Sequence, residues 1–448
     1  AVIGAGPVGL AAAAHLVQRG LTPLVLEAGP AVGHALRQWA HVQVFSPWRY
    51  NVDRAAAALL AETGWTMPDP DTLPTGGEIV RRYLEPLAAH PTLAPHIATG
   101  ARVTAVTRRG IDKMTDAGRA DAPFVLRWTA ADGARSSEAR AVIDASGTWF
   151  TPSPMGIDGL PVPGEDAAAE RIVYGIPDIA GAARADYAGR RTLVVGSGHS
   201  AIGTVLDLLR LQQEAPGTRI FWALRRDRLD RVVGGGAADQ LPARGALGLA
   251  AAEAIAAGRL TLLAPFAAKG ITRDDGALRV AGRNGCRAQD VSVDRIVVAT
   301  GFRPNTSLLR ELRVALDPAT EAPPALAPLI DPNLHSCGTV RPHGAAELAH
   351  PEPGLWVVGA KSYGRAPTFL MATGYEQVRS VTAAIAGDMA AARDVRLVLP
   401  ETGVCSARPV EASRPIAVPL PAAATGGCCG PAVKVPEPAA TACCAAAE

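Results

Sequence analysis

Three sets of residues have types and spacings that could do chemistry. The first is a pair of glycine clusters: Gly4, Gly6 and Gly9 near the start, and Gly196 and Gly198 in the run Gly196-Ser197-Gly198-His199-Ser200-Ala201. Glycines at this spacing let the backbone turn tightly, approach a phosphate with no Cβ in the way, and pack the following helix close to its strand. The second set is charged, Glu27 after the first cluster and Arg225-Arg226 after the second. The third is sulfur: Cys428-Cys429 and Cys443-Cys444 are adjacent pairs, whereas Cys286, Cys337 and Cys405 stand alone. The corresponding chemistries are anion binding by backbone amides, recognition of hydroxyls or phosphate by charged side chains, and ligation of soft ions by thiolates.

Each glycine cluster needs elements to present it. Ala1-Val2-Ile3 reads as a strand, Pro7 opens an Ala-rich helix running to Arg19-Gly20, and Leu24-Val25-Leu26 is a second strand ending at Glu27. The first strand opens at Ala1 itself, so a few preceding residues are expected. The helix N-terminus offers free N–H groups and a positive dipole end to a pyrophosphate. Glu27 stands about 20 residues beyond the motif, where an acid takes the ribose hydroxyls of a dinucleotide. The plain alternative is a fortuitous glycine turn, but strand, helix and distal acid together argue against it. The second copy follows Thr192-Leu193-Val194-Val195, has Gly203 within its helix, and is lined by His199 and Ser200. Its second strand, residues 219–224, ends in Arg225-Arg226 instead of an acid. Two guanidinium groups suit a 2′-phosphate, so NADPH is expected over NADH; a solvated Arg pair at a strand end is the alternative. Residues 141–147 and 295–301 read as buried strands running into turns at Gly147 and Gly301. Residues 353–359 form another such strand, ending at Gly359, with Pro367-Thr368 suited to a first helical turn further on.

The length of 448 residues implies two or three domains. Hydrophobic residues at 48% and charged residues at 19% exclude a chain disordered throughout. A net charge of +2 without a Lys/Arg block excludes a nucleic-acid binder. Mean hydropathy is +0.14, but Arg19 and Glu27 break the first apolar stretch and Glu253 and Arg259 the Ala-rich middle one, so no membrane partner is expected. Cysteine is absent before residue 286, the wrong distribution for a disulfide-stapled secreted scaffold, and a reducing cytoplasm is the expected compartment.

The motif order is a glycine motif with its acid, Ala145-Ser146-Gly147, a second glycine motif, Ala299-Thr300-Gly301 with Pro304-Asn305, and Gly354-Leu355 leading to Gly359. Over about residues 1–390 this order resembles the two-dinucleotide-binding-domain flavoproteins, the superfamily of flavin-containing monooxygenases and thioredoxin-reductase-like enzymes. The resemblance implies an α/β fold of two Rossmann-like domains, the second inserted in the first. The FAD-binding domain would comprise residues 1–155 and 290–392, the NADPH-binding domain 156–289, and a flexible Ala/Pro/Cys-rich tail 393–448. It further implies FAD at Gly4, Gly6, Pro7, Gly9, Glu27, Gly147, Gly301, Gly359 and Thr368, and NADPH at Gly196, Gly198, His199, Ser200, Arg225 and Arg226. A helix beginning near Pro367 would point its N-terminus at the flavin. One departure concerns the last strand: the family has Gly-Asp there, and this chain has Gly359-Ala360-Lys361, which puts the usual acidic contact to the ribityl chain in doubt.

Within the superfamily, disulfide reductases need a dithiol, and the chain has neither CxxC nor Cx4C. The flavin-dependent N- and S-monooxygenases need none, because reduced flavin itself activates oxygen for a soft nucleophile. The segment with Trp39, His41, Phe45, Trp48, Tyr50 and Asn51 resembles their flavin-side aromatic segment, which makes Asn51, Trp48 and His41 the candidate catalytic residues; a packed helix-to-loop core would show the same residues. The monooxygenase fingerprint between the two glycine motifs is absent, with Tyr174 where its histidine would fall, so this is a divergent branch or a reductase with another acceptor. The two cysteine pairs could wrap As(III), Sb(III), Hg(II) or Cu(I), could relay electrons, or could be incidental. Flavin monooxygenases associated with arsenic resistance are the most suggestive resemblance for the whole chain, with Cys428, Cys429, Cys443 and Cys444 as metalloid ligands. Three readings stand: a monooxygenase acting on a small soft molecule such as a trivalent metalloid, a reductase of a disulfide, metal ion or quinone, and a non-enzymatic nucleotide-sensing or metal-sequestering flavoprotein. The oligomeric state is open, a homodimer being one option.

Overall fold

Buried parallel strands in this chain are short and apolar on both faces, and they form two sheets. The structure is a computed structural model that describes residues 1–226, 241–334, 342–366 and 369–396. The first sheet has the order Leu355–Val357, Val142–Asp144, Val2–Ile3, Val25–Leu26, Ile97–Ala98. The second has the order Thr261–Leu263, Arg219–Ala223, Arg191–Val195, Arg295–Val298, Ile172–Tyr174, and both are parallel throughout. All strands of the second sheet fall between Val142–Asp144 and Leu355–Val357 in the chain, so one α/β unit is inserted in the other.

The same layering occurs twice. Val2 and Ile143 point into a core shared with the helices Pro7–Gln18 and Met371–Ile385, while Ile3, Val142 and Leu355 point the other way. There they meet Val106, Phe124 and Leu126 of an antiparallel sheet, Arg102–Arg108, Phe124–Ala130 and Gly133–Ala139. In the second unit Val194 and Val297 face the helices His199–Glu214 and Pro242–Ala256. Leu193, Ile296 and Val298 face the antiparallel sheet Ala267–Asp274, Ala277–Asn284 and Arg287–Val293. Alternation of side chains along each strand, with both faces covered, is why these strands read as continuous apolar runs. Ala11 to Ala14 are fully buried, and their small side chains seat the first helix close to its sheet.

Two expectations need correction. The strand Arg295–Val298, placed by the sequence reading in the returning FAD-binding segment from residue 290, is hydrogen-bonded within the second sheet, between Arg191–Val195 and Ile172–Tyr174; the return begins after it. The connecting segments run antiparallel there: Arg303 N–H donates to Thr151 O at 2.8 Å and Ser153 N–H to Gly301 O at 2.9 Å. The helix expected from Pro367 begins at Met371, because Leu370 is still extended (φ −117°, ψ 150°). Pro367, Thr368 and the four tail cysteines lie outside the described residues. Among the described residues no helix is long and apolar enough to cross a membrane.

Candidate functional site

The two glycine turns are built alike. Gly4 has φ +98°, and a Cβ there would lie 2.8 Å from Ala145 O on the adjoining strand end. Gly196 has φ +132°, and its Cβ would lie 2.3 Å from Ala299 O. Each turn thus rests on the alanine carbonyl of an Ala-Ser-Gly or Ala-Thr-Gly segment, which explains why those segments recur. Gly9 is needed for a different reason: a Cβ would meet Gly4 O at 2.0 Å, so only glycine lets the helix sit against the turn. At Gly6, Gly198 and Gly147 a Cβ would meet nothing, and these positions border open space. Gly6 and Gly198 are the N-cap residues of Pro7–Gln18 and His199–Glu214, and no side chain caps either helix. Two uncapped N-termini beside open glycine backbone suit two pyrophosphates.

Glu27 is buried at the end of its strand, accepting from Ala5 N–H at 2.7 Å and Gly29 N–H at 2.8 Å. Its carboxylate thereby fixes the glycine turn, and each oxygen keeps a lone pair for a ribose hydroxyl. Arg225 and Arg226 are exposed just beyond Arg219–Ala223. Gly359 has φ +70°, and its N–H donates to Gln377 Oε1 at 2.7 Å, which ties its loop to the helix Met371–Ile385. Gly301 has φ +96° and lies in the return segment. These residues fit two dinucleotides.

The aromatic segment joins the two units. Phe45 packs on His199 with ring centroids 5.2 Å apart, Trp39 on Trp149 at 6.4 Å, Trp149 on Phe302 at 4.7 Å, and His34 on Phe150 at 5.4 Å. Of the three catalytic candidates, Trp48 is buried in the first core. Asn51 is fully buried and its amide is spent inside its own loop, donating to Ser46 O at 2.6 Å and Pro47 O at 3.0 Å and accepting from Ser46 Oγ. Asn51 therefore has no amide N–H left to offer a ligand. His41 Nε2 is buried without a hydrogen-bond partner. It faces the helix His199–Glu214, where burial pushes the Asp207 carboxyl up against the opposing pull of Arg210 and His41. Tyr174 donates to Glu165 Oε1 at 2.6 Å, and burial and that carboxylate push its phenol well above the usual range.

The sequence reading missed a buried ion pair. Lys361 Nζ lies 2.7 Å from Asp144 Oδ2 and 3.0 Å from Ser146 Oγ, and Ser146 Oγ donates to Asp144 Oδ1 at 2.6 Å. Both charged side chains are at most 1% exposed. An Asp inside the apolar run Val142-Ile143-Asp144 was the available signal. Cys286 is exposed at the turn between Ala277–Asn284 and Arg287–Val293.

The sequence matches the family model described as pyridine nucleotide-disulphide oxidoreductase over residues 1–328. No curated protein matches it. Among solved structures it is similar to the bacillithiol disulfide reductase Bdr (YpdA) of Bacillus cereus, with 19% identity and TM-score 0.62 over 86% of this chain and 98% of that one. It is also similar to FAD-bound DfoA, the cadaverine monooxygenase of desferrioxamine biosynthesis in Erwinia amylovora, with 14% identity and TM-score 0.61 over 90% and 98%. The thioredoxin reductase of T. acidophilum gives 14% identity and TM-score 0.53 over 86% and 97%. At these identities the likeness is one of fold.

Proposed function

We propose that this chain, which belongs to the pyridine nucleotide-disulphide oxidoreductase family, is a monooxygenase that transfers one oxygen atom to a soft nucleophile, with trivalent arsenicals or antimonials as its substrate class. It is an oxidoreductase that uses FAD and NADPH, as its family and its two glycine turns require. In this reading the first unit, with the returning segment after Arg295–Val298, holds FAD, and the inserted unit holds NADPH. Bound FAD supplies the redox chemistry, accepting a hydride and activating oxygen.

The observation that carries the reading is the absence of any cysteine before residue 286, which leaves the first glycine turn and the aromatic segment that follows it without a dithiol of their own. The chain's own residues bind and orient. The uncapped helix at Gly6 and the Glu27 carboxylate hold one dinucleotide, and the helix at Gly198 with Arg225 and Arg226 holds the other. Trp39, Phe45, Trp149 and Phe302 line the junction with apolar surface that excludes water, and His41 Nε2 is left to accept or donate one hydrogen bond there. Cys428, Cys429, Cys443 and Cys444 capture the metalloid as thiolates, which needs a reducing compartment such as the cytoplasm. The balance is one trivalent arsenical, one O2, one NADPH and one proton giving the pentavalent acid, NADP+ and water.

The test is NADPH and O2 consumption with methylarsenite or antimonite, expected at one O2 per NADPH with the pentavalent product. Peroxide as the sole oxygen product refutes the reading. The alternative is a reductase using the tail cysteines, favoured by the likeness to two disulfide-active folds. It requires anaerobic turnover that Cys428→Ser/Cys429→Ser abolishes. Failure of NADPH to bleach the flavin under argon would leave a non-enzymatic flavoprotein.

A further inference from the structure

A strip of the outer unit, His41 to Phe45, lies along the helix His199–Glu214 of the inner one. Gln43 forms an antiparallel bridge with Thr75, so the strip is extended. From His41 to Phe45 such a chain covers about 13 Å, and from His199 to Asp207 a helix covers about 12 Å. Phe45 rests on His199, with ring centroids 5.2 Å apart, and His41 faces Asp207, so strip and helix run in opposite directions. The strip is fixed to its own unit: Gly76 N–H donates to Val42 O, Gly77 N–H to Ala40 O, and Val44 N–H to Pro74 O, each at 2.9 Å.

Its hold on the helix is loose. At Gly203, midway between His199 and Asp207 on the same helix face, a Cβ would meet nothing within 4 Å. His41 Nε2 is buried without a hydrogen-bond partner. The Asp207 carboxyl is shielded from water enough for burial to push it up. Separating strip from helix returns both groups to water, which offsets much of what one ring pair contributes. Trp39 on Trp149 and His34 on Phe150 do not replace that pair, because Trp149 and Phe150 precede the crossing of the connectors at Thr151 and Arg303. Those contacts hold the outer unit to its own outgoing connector.

Phe45 meets the inner unit where a ligand would arrive. His199 follows the N-cap Gly198 and is exposed, with Ser197 and Gly198, at the uncapped N-terminus of the helix. A pyrophosphate seated on these amides carries a nucleoside on either side, and the His199 side chain borders its path. That side chain is already engaged by Phe45.

We propose that the Phe45–His199 contact is a latch between the two units, which a pyridine nucleotide must loosen to enter the second glycine turn. The inference rests on the reading of that turn as the NADPH site and adds the outer-unit residue that opposes its filling. Coupling of this kind is reciprocal: a contact that nucleotide loosens favours nucleotide when it is removed.

The test is calorimetric titration of the flavin-loaded full chain with NADP+, which has no hydride to transfer, for wild type, Phe45→Leu and Phe45→Ala. A ring pair of this kind corresponds to about two- to tenfold in affinity. Phe45→Ala is expected to bind NADP+ more tightly by that factor, Phe45→Leu, which keeps an apolar side chain, to fall between it and wild type, and FAD affinity to stay at its wild-type value in both. Weaker NADP+ binding by Phe45→Ala overturns the proposal and makes Phe45 a wall of the nucleotide site. Unchanged binding overturns it by making the contact passive, and loss of FAD affinity overturns it by placing the change in the first unit. Should Phe45→Ala fail to fold, Phe45→Leu carries the same test in the same direction. A wild-type chain that binds no NADP+ sinks the reading of the second turn itself, an outcome distinct from these.

Discussion

Two glycines of one motif should fail in opposite ways when each becomes alanine. At Gly9 a Cβ lands 2.0 Å from Gly4 O. A tolerable contact needs about 3 Å or more, so the helix Pro7–Gln18 must back away from the turn by about 1 Å. It has no room, because Ala11 to Ala14 are already fully buried against sheet and helices. Overpacking of this kind costs about 1–3 kcal/mol, so the flavin-free Gly9→Ala chain should melt several degrees lower. At Gly6 the backbone (φ −78°, ψ −174°) is open to any residue and a Cβ meets nothing. The flavin-free Gly6→Ala chain should therefore melt as wild type or slightly higher, since alanine restricts the unfolded chain by about 0.4–1 kcal/mol. Its Cβ instead fills the space a pyrophosphate needs beside the helix amides. Losing one hydrogen bond to a charged group costs about 1.5–3 kcal/mol, which raises the Kd for FAD roughly ten- to a hundredfold. Thermal melting with and without flavin and FAD titration separate the two effects. Wild-type FAD affinity in Gly6→Ala would refute the placement of the cofactor, and wild-type melting of Gly9→Ala would refute the helix seating.

Arg225→Ala/Arg226→Ala should raise the KM for NADPH about tenfold or more and leave that for NADH unchanged, as steady-state kinetics would read; an equal change in both would show that the pair does not take a 2′-phosphate. Glu352 is buried between Arg108 Nε at 2.8 Å and Arg119, and Glu352→Gln should cost about 3–5 kcal/mol in chemical denaturation by leaving two guanidinium groups without their anion. Burial pushes the Glu352 carboxyl up, but hydrogen bonds from Arg119, the Arg313 amide and Arg108 outweigh it and hold the carboxyl below its ordinary value. Its contribution is therefore full above the unfolded carboxyl pKa of about 4.3 and is lost as pH falls through the lower folded value. Melting temperature across that window should fall more steeply for wild type than for Glu352→Gln, and equal slopes would contradict the assignment.

The glycine turns and their flanking strand and helix were legible because local sterics write them directly: tight turn, N-cap and acid fall within one βαβ span. The rest of the site depends on contacts between distant segments. Ala145 and Ala299 matter through their carbonyl oxygens, which any residue possesses, so no side-chain pattern announces them. Arg295–Val298 reads as a buried strand in either unit, and only its hydrogen-bonded neighbours decide which sheet owns it. Trp48 and Asn51 sit in the right segment, but local density of aromatic residues does not distinguish a ring facing a cleft from one facing the core. The antiparallel layers alternate, with Phe124, Leu126 and Trp128 inward, and alternation marks a face to be covered without naming its cover.

The adjoining connectors have a consequence for dissection of the molecule. Because Thr151 and Ser153 are hydrogen-bonded directly to Arg303 and Gly301, the chain departs from the outer unit and re-enters it at neighbouring points. A splice there, bridging about one strand spacing with a few small residues, would excise the inner unit while leaving every strand of the first sheet in sequence. Either half is thus available as a cassette: the outer one for measuring nucleotide retention in isolation, the inner one for exchange with another dinucleotide-binding unit.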